Sequence, residues 1–193
     1  MFDLISFQLP TKANAKSLPR LHQATLRGNA PLLEELLEAG EDPNNTDTCG
    51  RQPIWLATVQ NHPAALMVLL SHGANVDPGA SSGKPSPLHV AVANSFTEVA
   101  AMLLRYGADV NRGNKNGLRC VHCIAGNTTA DTMRLLINAK ANLEAKNQTG
   151  RTCLHFAAQT GNAAVARLVL EAGADTAPES LEGATPLHCA AER

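Results

Sequence analysis

Apolar and small residues recur along this chain in short phrases of near-constant form. Leu21-His22-Gln23-Ala24, Ile54-Trp55-Leu56-Ala57, Leu88-His89-Val90-Ala91, Val121-His122-Cys123-Ile124, Leu154-His155-Phe156-Ala157 and Leu187-His188-Cys189-Ala190 are six copies of one phrase. Their first residues lie 33, 34, 33, 33 and 33 positions apart. A second mark keeps the same beat at Gly40, Gly73, Gly107, Lys140 and Gly173. Self-similarity at this period implies stacked supersecondary units rather than one globular fold.

Each unit predicts two helices and a connector. In the fifth, Gly150 permits a tight turn and Thr152 is an N-cap. Leu154, Ala157 and Ala158 then space as one face of a short helix, which Gly161-Asn162 ends. Val165, Leu168, Val169 and Leu170 give the apolar side of a second helix over 163–171, with Gly173 just past its end. Pro87 and Pro186 sit at a first helical position, where the missing N–H has no partner to lose. One such pair cannot bury its apolar faces, and stacking the pairs makes a continuous core. The chain divides into an extension over 1–18 and units over 19–49, 50–82, 83–116, 117–149, 150–182 and a partial 183–193. Phe2, Leu4, Ile5 and Phe7 of the extension are expected to pack on the first unit. The sixth unit stops after its first helix, and the expectation is a piece of a longer protein rather than a cap over 184–193.

Composition narrows the function classes. The chain is 44% hydrophobic and 17% charged with a formal net charge of −1, so it builds a core and has no overall pull toward nucleic acid or membrane. The longest apolar stretch, 64–70, is too short to span a bilayer. The first residues lack the basic region and apolar run of a signal peptide. Five cysteines, an odd number placed inside the units, point to a reducing compartment, cytoplasm or nucleus.

The pattern resembles the ankyrin repeat. Thr185-Pro186-Leu187-His188-Cys189-Ala190-Ala191 and Gly107-Ala108-Asp109-Val110-Asn111 carry the likeness, which covers about residues 19–193. The resemblance implies an all-α, ankyrin-type α-solenoid of helix-turn-helix repeats, monomeric, that binds proteins on a concave face of first helices and connector tips. It implies that His22, His89, His122, His155 and His188 hydrogen-bond a turn of their own or an adjacent unit. His62 and His72 fall at usual histidine slots, which leaves no histidine for catalysis. It also implies asparagine hydroxylation at Asn111, with Asn44 a weaker match. The implied role is a non-catalytic intracellular scaffold or adaptor. Its alternatives are the substrate-recruiting part of an ankyrin/SOCS-box ubiquitin-ligase subunit, a regulatory segment of a larger enzyme or channel, and a pathogen effector.

Some copies depart from the pattern. Trp55 takes the histidine slot, and the connector around 79–86 has one extra residue. In the fourth copy Cys120 replaces the helix-starting proline, Thr128 the inter-helix glycine and Lys140 the terminal glycine. A non-glycine residue held left-handed costs about 1–2 kcal/mol, so this unit is expected to be locally weakest.

Candidate chemistry is sparse. Cys120-Val121-His122-Cys123 has the look of a zinc motif, but Cys153 and Cys189 stack one and two units away. Those steps are at least about 8–10 Å, whereas zinc ligands converge within about 2.0–2.3 Å and a disulfide needs Cα atoms under about 7 Å apart. Small buried cysteines are expected, with Cys49 the exposed thiol and no cofactor or metal. The connectors at 79–86, 112–119 and 145–152 hold Lys84, Arg112, Lys115, Arg119, Lys146 and Arg151 and no acid; Arg51 extends the row beside Asp47. Two readings of these tips stand: they keep the loops soluble, or, with Trp55, they bind an acidic or phosphorylated protein segment steered by charge. Nucleic acid fits poorly because the row lacks interleaved aromatics for base stacking.

Overall fold

The computed structural model describes residues 17–79, 85–124 and 126–192. The packing expected of Phe2, Leu4, Ile5 and Phe7, the extra connector residue around 80–84, and Lys84 itself lie outside the described residues. The elements in order are α1 (Arg20–Leu26), α2 (Ala30–Glu38), α3 (Pro53–Val59), α4 (Pro63–Ser71), α5 (Pro87–Ala93), α6 (Thr97–Arg105), a 3-10 turn (Cys120–His122), α7 (Ala130–Asn138), α8 (Cys153–Thr160), α9 (Ala163–Glu171) and α10 (Pro186–Ala191). Every regular element among the described residues is helical. The first helices α1, α3 and α5, the 3-10 turn, α8 and α10 pack in sequence as one layer. The second helices α2, α4, α6, α7 and α9 form the other. One apolar core runs through the stack from Leu21 to Val169, through Ile54, Leu66, Leu88, Leu103, Met133 and Leu136.

Local chemistry sets the helix ends. Asn29 and Asn162 cap α2 and α9 by accepting the Leu32 and Val165 N–H groups, each at 3.2 Å. Thr129 caps α7 through the Thr132 N–H. The second helices close on left-handed residues, and Lys140 takes that role at φ 63 in the fourth unit. Its closing bond, Ala141 N–H to Leu136 O at 3.0 Å, matches Ala108 N–H to Leu103 O in the third. Gly28 meets two demands at once: φ is 64, and a Cβ there would lie 2.9 Å from the His62 ring. That ring hydrogen-bonds the Leu26 carbonyl at 3.2 Å.

The fourth unit is irregular in the way its departures suggest. Its first helix shrinks to the single 3-10 turn, followed by an irregular stretch and a turn at 126–127. Ile124 is β-branched where every sibling phrase carries Ala, and Gly126-Asn127 follows two residues on, so helix propensity falls here. The segment stays packed, with Val121, His122, Cys123 and Ile124 all buried.

Histidine ladder, connectors and the candidate interaction surface

Three of the phrase histidines, His22, His89 and His155, tie neighbouring units together. Nε2 of His22, His89 and His155 lies 2.9, 3.0 and 3.0 Å from the carbonyls of Arg51, Leu118 and Ala184, each 29 residues downstream. Nδ1 accepts the backbone N–H of the N-cap: Ser86 to His89, Arg119 to His122, Thr152 to His155 and Thr185 to His188, at 2.9–3.2 Å. An accepting Nδ1 assigns the proton to Nε2, which in His89 and His155 donates across the unit boundary. His122 reaches a different carbonyl, that of Ala145 at 2.7 Å, because its helix is replaced by the tighter turn. Burial lowers the pKa of His89, His122 and His155 more than their carbonyl partners raise it, which favours the neutral ring. His62 and His72 also bond backbone carbonyls, those of Leu26 and Val68.

The ladder's carbonyls belong to connectors that fold by a rule of their own. Asp47, Asn114, Asn147 and Ser180 each accept the N–H groups two and four residues on, closing a turn over a left-handed glycine. Successive turns are zipped through the backbone, Gln148 N–H to Asn116 O at 3.3 Å and Leu181 N–H to Thr149 O at 3.0 Å. A second series spans the units: Asn44, Asp77, Asn111 and Glu144 accept the N–H groups of Asn75, Asp109, Asn142 and Asp175 at 2.7–2.9 Å. Of these four, Asn44 and Asn111 are the pair that the family resemblance points to. The spacing of all four, 33, 34 and 33, carried the signal. Both asparagines also donate Nδ2 to the carbonyls of Gly73 and Lys140.

The residues expected to bind a partner separate into two groups. Arg51 is buried and pairs with Asp47 at 2.7 Å, with Nε also donating to that carboxylate. Burial by itself would raise the Asp47 pKa, but hydrogen bonds from Arg51 and from the Arg51 and Cys49 amides outweigh it and hold the carboxylate ionised. Arg112 is buried as well and meets Asp77 at 3.3 Å and the Pro78 carbonyl at 3.4 Å. Trp55 is packed in the first-helix layer at 8% exposure. These three side chains are committed to the stack and leave little to offer a visiting molecule.

Lys115, Arg119, Lys146 and Arg151 form the second group, on two consecutive connectors. Lys115 and Lys146 are exposed and Arg119 and Arg151 half-buried. Three of them bond neutral acceptors: Arg119 Nε the Asn111 carbonyl at 3.0 Å, Lys146 Nζ the Glu179 carbonyl at 3.1 Å, and Arg151 Nη1 the Gln159 side-chain oxygen at 3.4 Å. None pairs with a carboxylate among the described residues. Among the described residues, four cations of the row are thus left without a carboxylate partner, on the connectors of the fourth and fifth units.

The cysteines have structural surroundings. The Cys120 and Cys153 thiols donate to the carbonyls of Val110 and Leu143 at 2.9 and 3.4 Å, the same ten-residue step in both units. Burial pushes both thiols up to about 12 and raises Cys123 further, which suppresses the reactive thiolate. Cys49 is the exposed thiol. Among the described residues no group of three or more His, Cys, Asp or Glu side chains could hold a metal ion, and no helix is long and apolar enough to cross a membrane.

A family model for ankyrin repeats in three copies matches residues 21–114 and 121–193. The ankyrin repeat domain from Acinetobacter baumannii superposes with a TM-score of 0.81 at 29% identity, covering 90% of each chain. The E3 ubiquitin-protein ligase KEG of Arabidopsis thaliana is 34% identical over 111 residues, 56% of this chain and 7% of that protein. Ankyrin repeat and SOCS box protein 5 of Oryctolagus cuniculus is 31% identical over 100 residues, 52% of this chain and 30% of that protein. The match therefore spans less than a third of either relative's own length.

Proposed function

The chain belongs to the ankyrin-repeat family, and on that premise we propose that it is a non-catalytic adaptor docking an acidic or phosphorylated segment of another protein. Ankyrin repeats are protein–protein interaction modules in general. The observation that carries the finer reading is the set of four cations, Lys115, Arg119, Lys146 and Arg151, which have no carboxylate partner among the described residues and sit on adjacent connectors. The connectors are held by the histidine ladder and by inter-turn backbone bonds, so a partner meets a pre-formed surface and pays little ordering cost. Exposed cations on such a surface raise the encounter rate and give it a dependence on salt. We place the module, as a monomer, in the cytoplasm or nucleus. Its finer form is substrate recruitment for a ubiquitin ligase, supported by the likeness to the rabbit SOCS-box protein and the Arabidopsis ligase. Hydroxylation of Asn111 and Asn44 belongs to the same reading; both side chains are bonded at each end, so modification requires the connector to open first.

The test is charge reversal. Lys115→Glu, Lys146→Glu and Arg151→Glu together should weaken binding of a Glu-rich peptide and of its phosphoserine counterpart and flatten the salt dependence. Arg112 is left intact because its reversal would set a second carboxylate against Asp77. Unchanged affinity and unchanged salt slope would remove the reading.

A further inference from the structure

Asn116-Gly117 is the sole Asn-Gly pair in the chain, and it forms the tip of the connector that carries Lys115 and Arg119. We propose that Asn116 is a site of spontaneous deamidation, a time-dependent modification that places a negative charge and an altered backbone within the basic row.

Three observations carry this. First, the Asn116 side-chain amide makes no hydrogen bond among the described residues, whereas Asn44, Asn111, Asn114, Asn142, Asn147 and Asn162 all use theirs. Second, the following residue has no Cβ to shield its backbone nitrogen, and it is left-handed at φ 68 in a turn exposed at its tip. Asn45, Asn61, Asn127 and Asn138 precede Thr, His, Thr and Ala, whose side chains obstruct the same approach. Third, the nucleophile itself is held by a single bond, Gly117 N–H to Asn114 O at 2.9 Å, while the turn around it is fixed by Asn114 N–H to Leu118 O at 2.9 Å, by Asn114 Oδ1 accepting the Asn116 and Leu118 N–H groups at 2.9 and 3.0 Å, and by Gln148 donating to the Lys115 and Asn116 carbonyls at 2.8 and 3.3 Å. Opening the first of these frees the nucleophile.

The chemistry balances with water as the only co-reactant. The Gly117 backbone nitrogen attacks the Asn116 side-chain carbonyl carbon. A nitrogen–carbon bond forms to close a succinimide, the bond to the side-chain nitrogen breaks, and ammonia leaves with the amide proton. Water then opens the ring at either carbonyl, giving aspartate or isoaspartate. Each product adds one negative charge beside Lys115. Isoaspartate also lengthens the backbone at the residue whose carbonyl accepts the Gln148 N–H, so the bond joining the two connectors is lost. The consequence for binding rests on the proposed acidic partner; the modification does not. One exposed charge change is worth about 0.2–1 kcal/mol, or up to about fivefold in affinity.

The full chain is incubated at mildly alkaline pH and followed by peptide mass spectrometry and by isoaspartate-specific enzymatic methylation. The expected result is a one-unit mass gain and methyl incorporation at Asn116, lost in Asn116→Gln and several-fold faster in Asn114→Ala, where the turn is loosened. No conversion at Asn116, or equal conversion at Asn45 and Asn127, overturns the proposal. Asn116→Asp assayed against the Glu-rich peptide separately reads the effect on binding, so conversion without an affinity change would count against the acidic-partner reading alone.

Discussion

Pro19 stands three residues before His22, at the position whose N–H every other ladder histidine uses. Ser86, Arg119, Thr152 and Thr185 each donate that N–H to the Nδ1 of their histidine. Proline has none to give, and among the described residues the buried His22 Nδ1 has no hydrogen-bond partner. The ring still donates Nε2–H to the Arg51 carbonyl, so the unit is docked but its own cap is incomplete. An unmet buried acceptor costs about 1–3 kcal/mol.

Pro19→Ser restores the missing donor. The new bond should contribute about 0.5–1.5 kcal/mol, partly offset by about 0.4–1 kcal/mol from the greater freedom of the unfolded chain. Urea unfolding in a double-mutant cycle with His22→Ala separates the two. The gain should be larger with His22 present, and an equal gain in both backgrounds would show that the N–H is not recruited.

The ladder makes stability depend on pH. The folded pKa values of His89, His122 and His155 lie below their ordinary value, chiefly because burial disfavours the imidazolium. The unfolded chain therefore takes up protons near pH ~6.5 before the folded chain does. Stability is full above that pH, falls as pH drops through it, and levels off below the lowered folded values. Asp47, whose pKa is also lowered, adds a further loss only in the more acid range. The midpoint of urea unfolding, followed from neutral to acid pH, should fall in this order. A midpoint that rises on acidification would contradict the tautomer assignment.

Arg51 and Lys115 should behave oppositely although both are connector cations. Arg51→Ala strips the partner from a buried Asp47 and should cost about 3–5 kcal/mol of stability. Lys115→Ala touches an exposed side chain and should change stability by no more than about 0.5 kcal/mol. Thermal melts of the two variants decide it, and a mild Arg51→Ala would mean the ion pair is not a fixture of the fold.

The fourth unit should open first. Its short 3-10 turn lacks the helical bonds of the sibling units, and Lys140 carries a left-handed backbone worth about 1–2 kcal/mol of strain. Amide exchange should be fastest in 118–142, and Lys140→Gly should slow it. If this segment proved the best protected of the chain, the assignment of local weakness would fall.

The repeated phrase made the fold legible because the histidine, the capping residue and the terminal glycine each answer a local geometric need. The irregular fourth unit was legible only in part: Cys120 and Lys140 mark it in the sequence, yet Cys153 opens the regular α8 from the same slot and Lys140 keeps the left-handed backbone at φ 63, so neither accounts for the lost helix. The candidate surface was legible only in outline. Arg112 looked like a free tip because its partner, Asp77, lies 35 residues upstream and meets it only through stacking. Arg51 stood beside Asp47 in the sequence, but only the folded turn shows that both are buried. The spanning series of Asn44, Asp77, Asn111 and Glu144 was hidden by its chemistry, since three residue types perform one hydrogen-bonding task.

The central claim is that partners dock on the connectors of the fourth and fifth units. Amide exchange of the full chain, with and without saturating Glu-rich phosphopeptide, tests it most directly. Added protection is expected in 113–119 and 146–152, abolished by the triple charge reversal at Lys115, Lys146 and Arg151. Protection confined to the second-helix layer of α2, α4 and α6, or none anywhere under saturation, would contradict it.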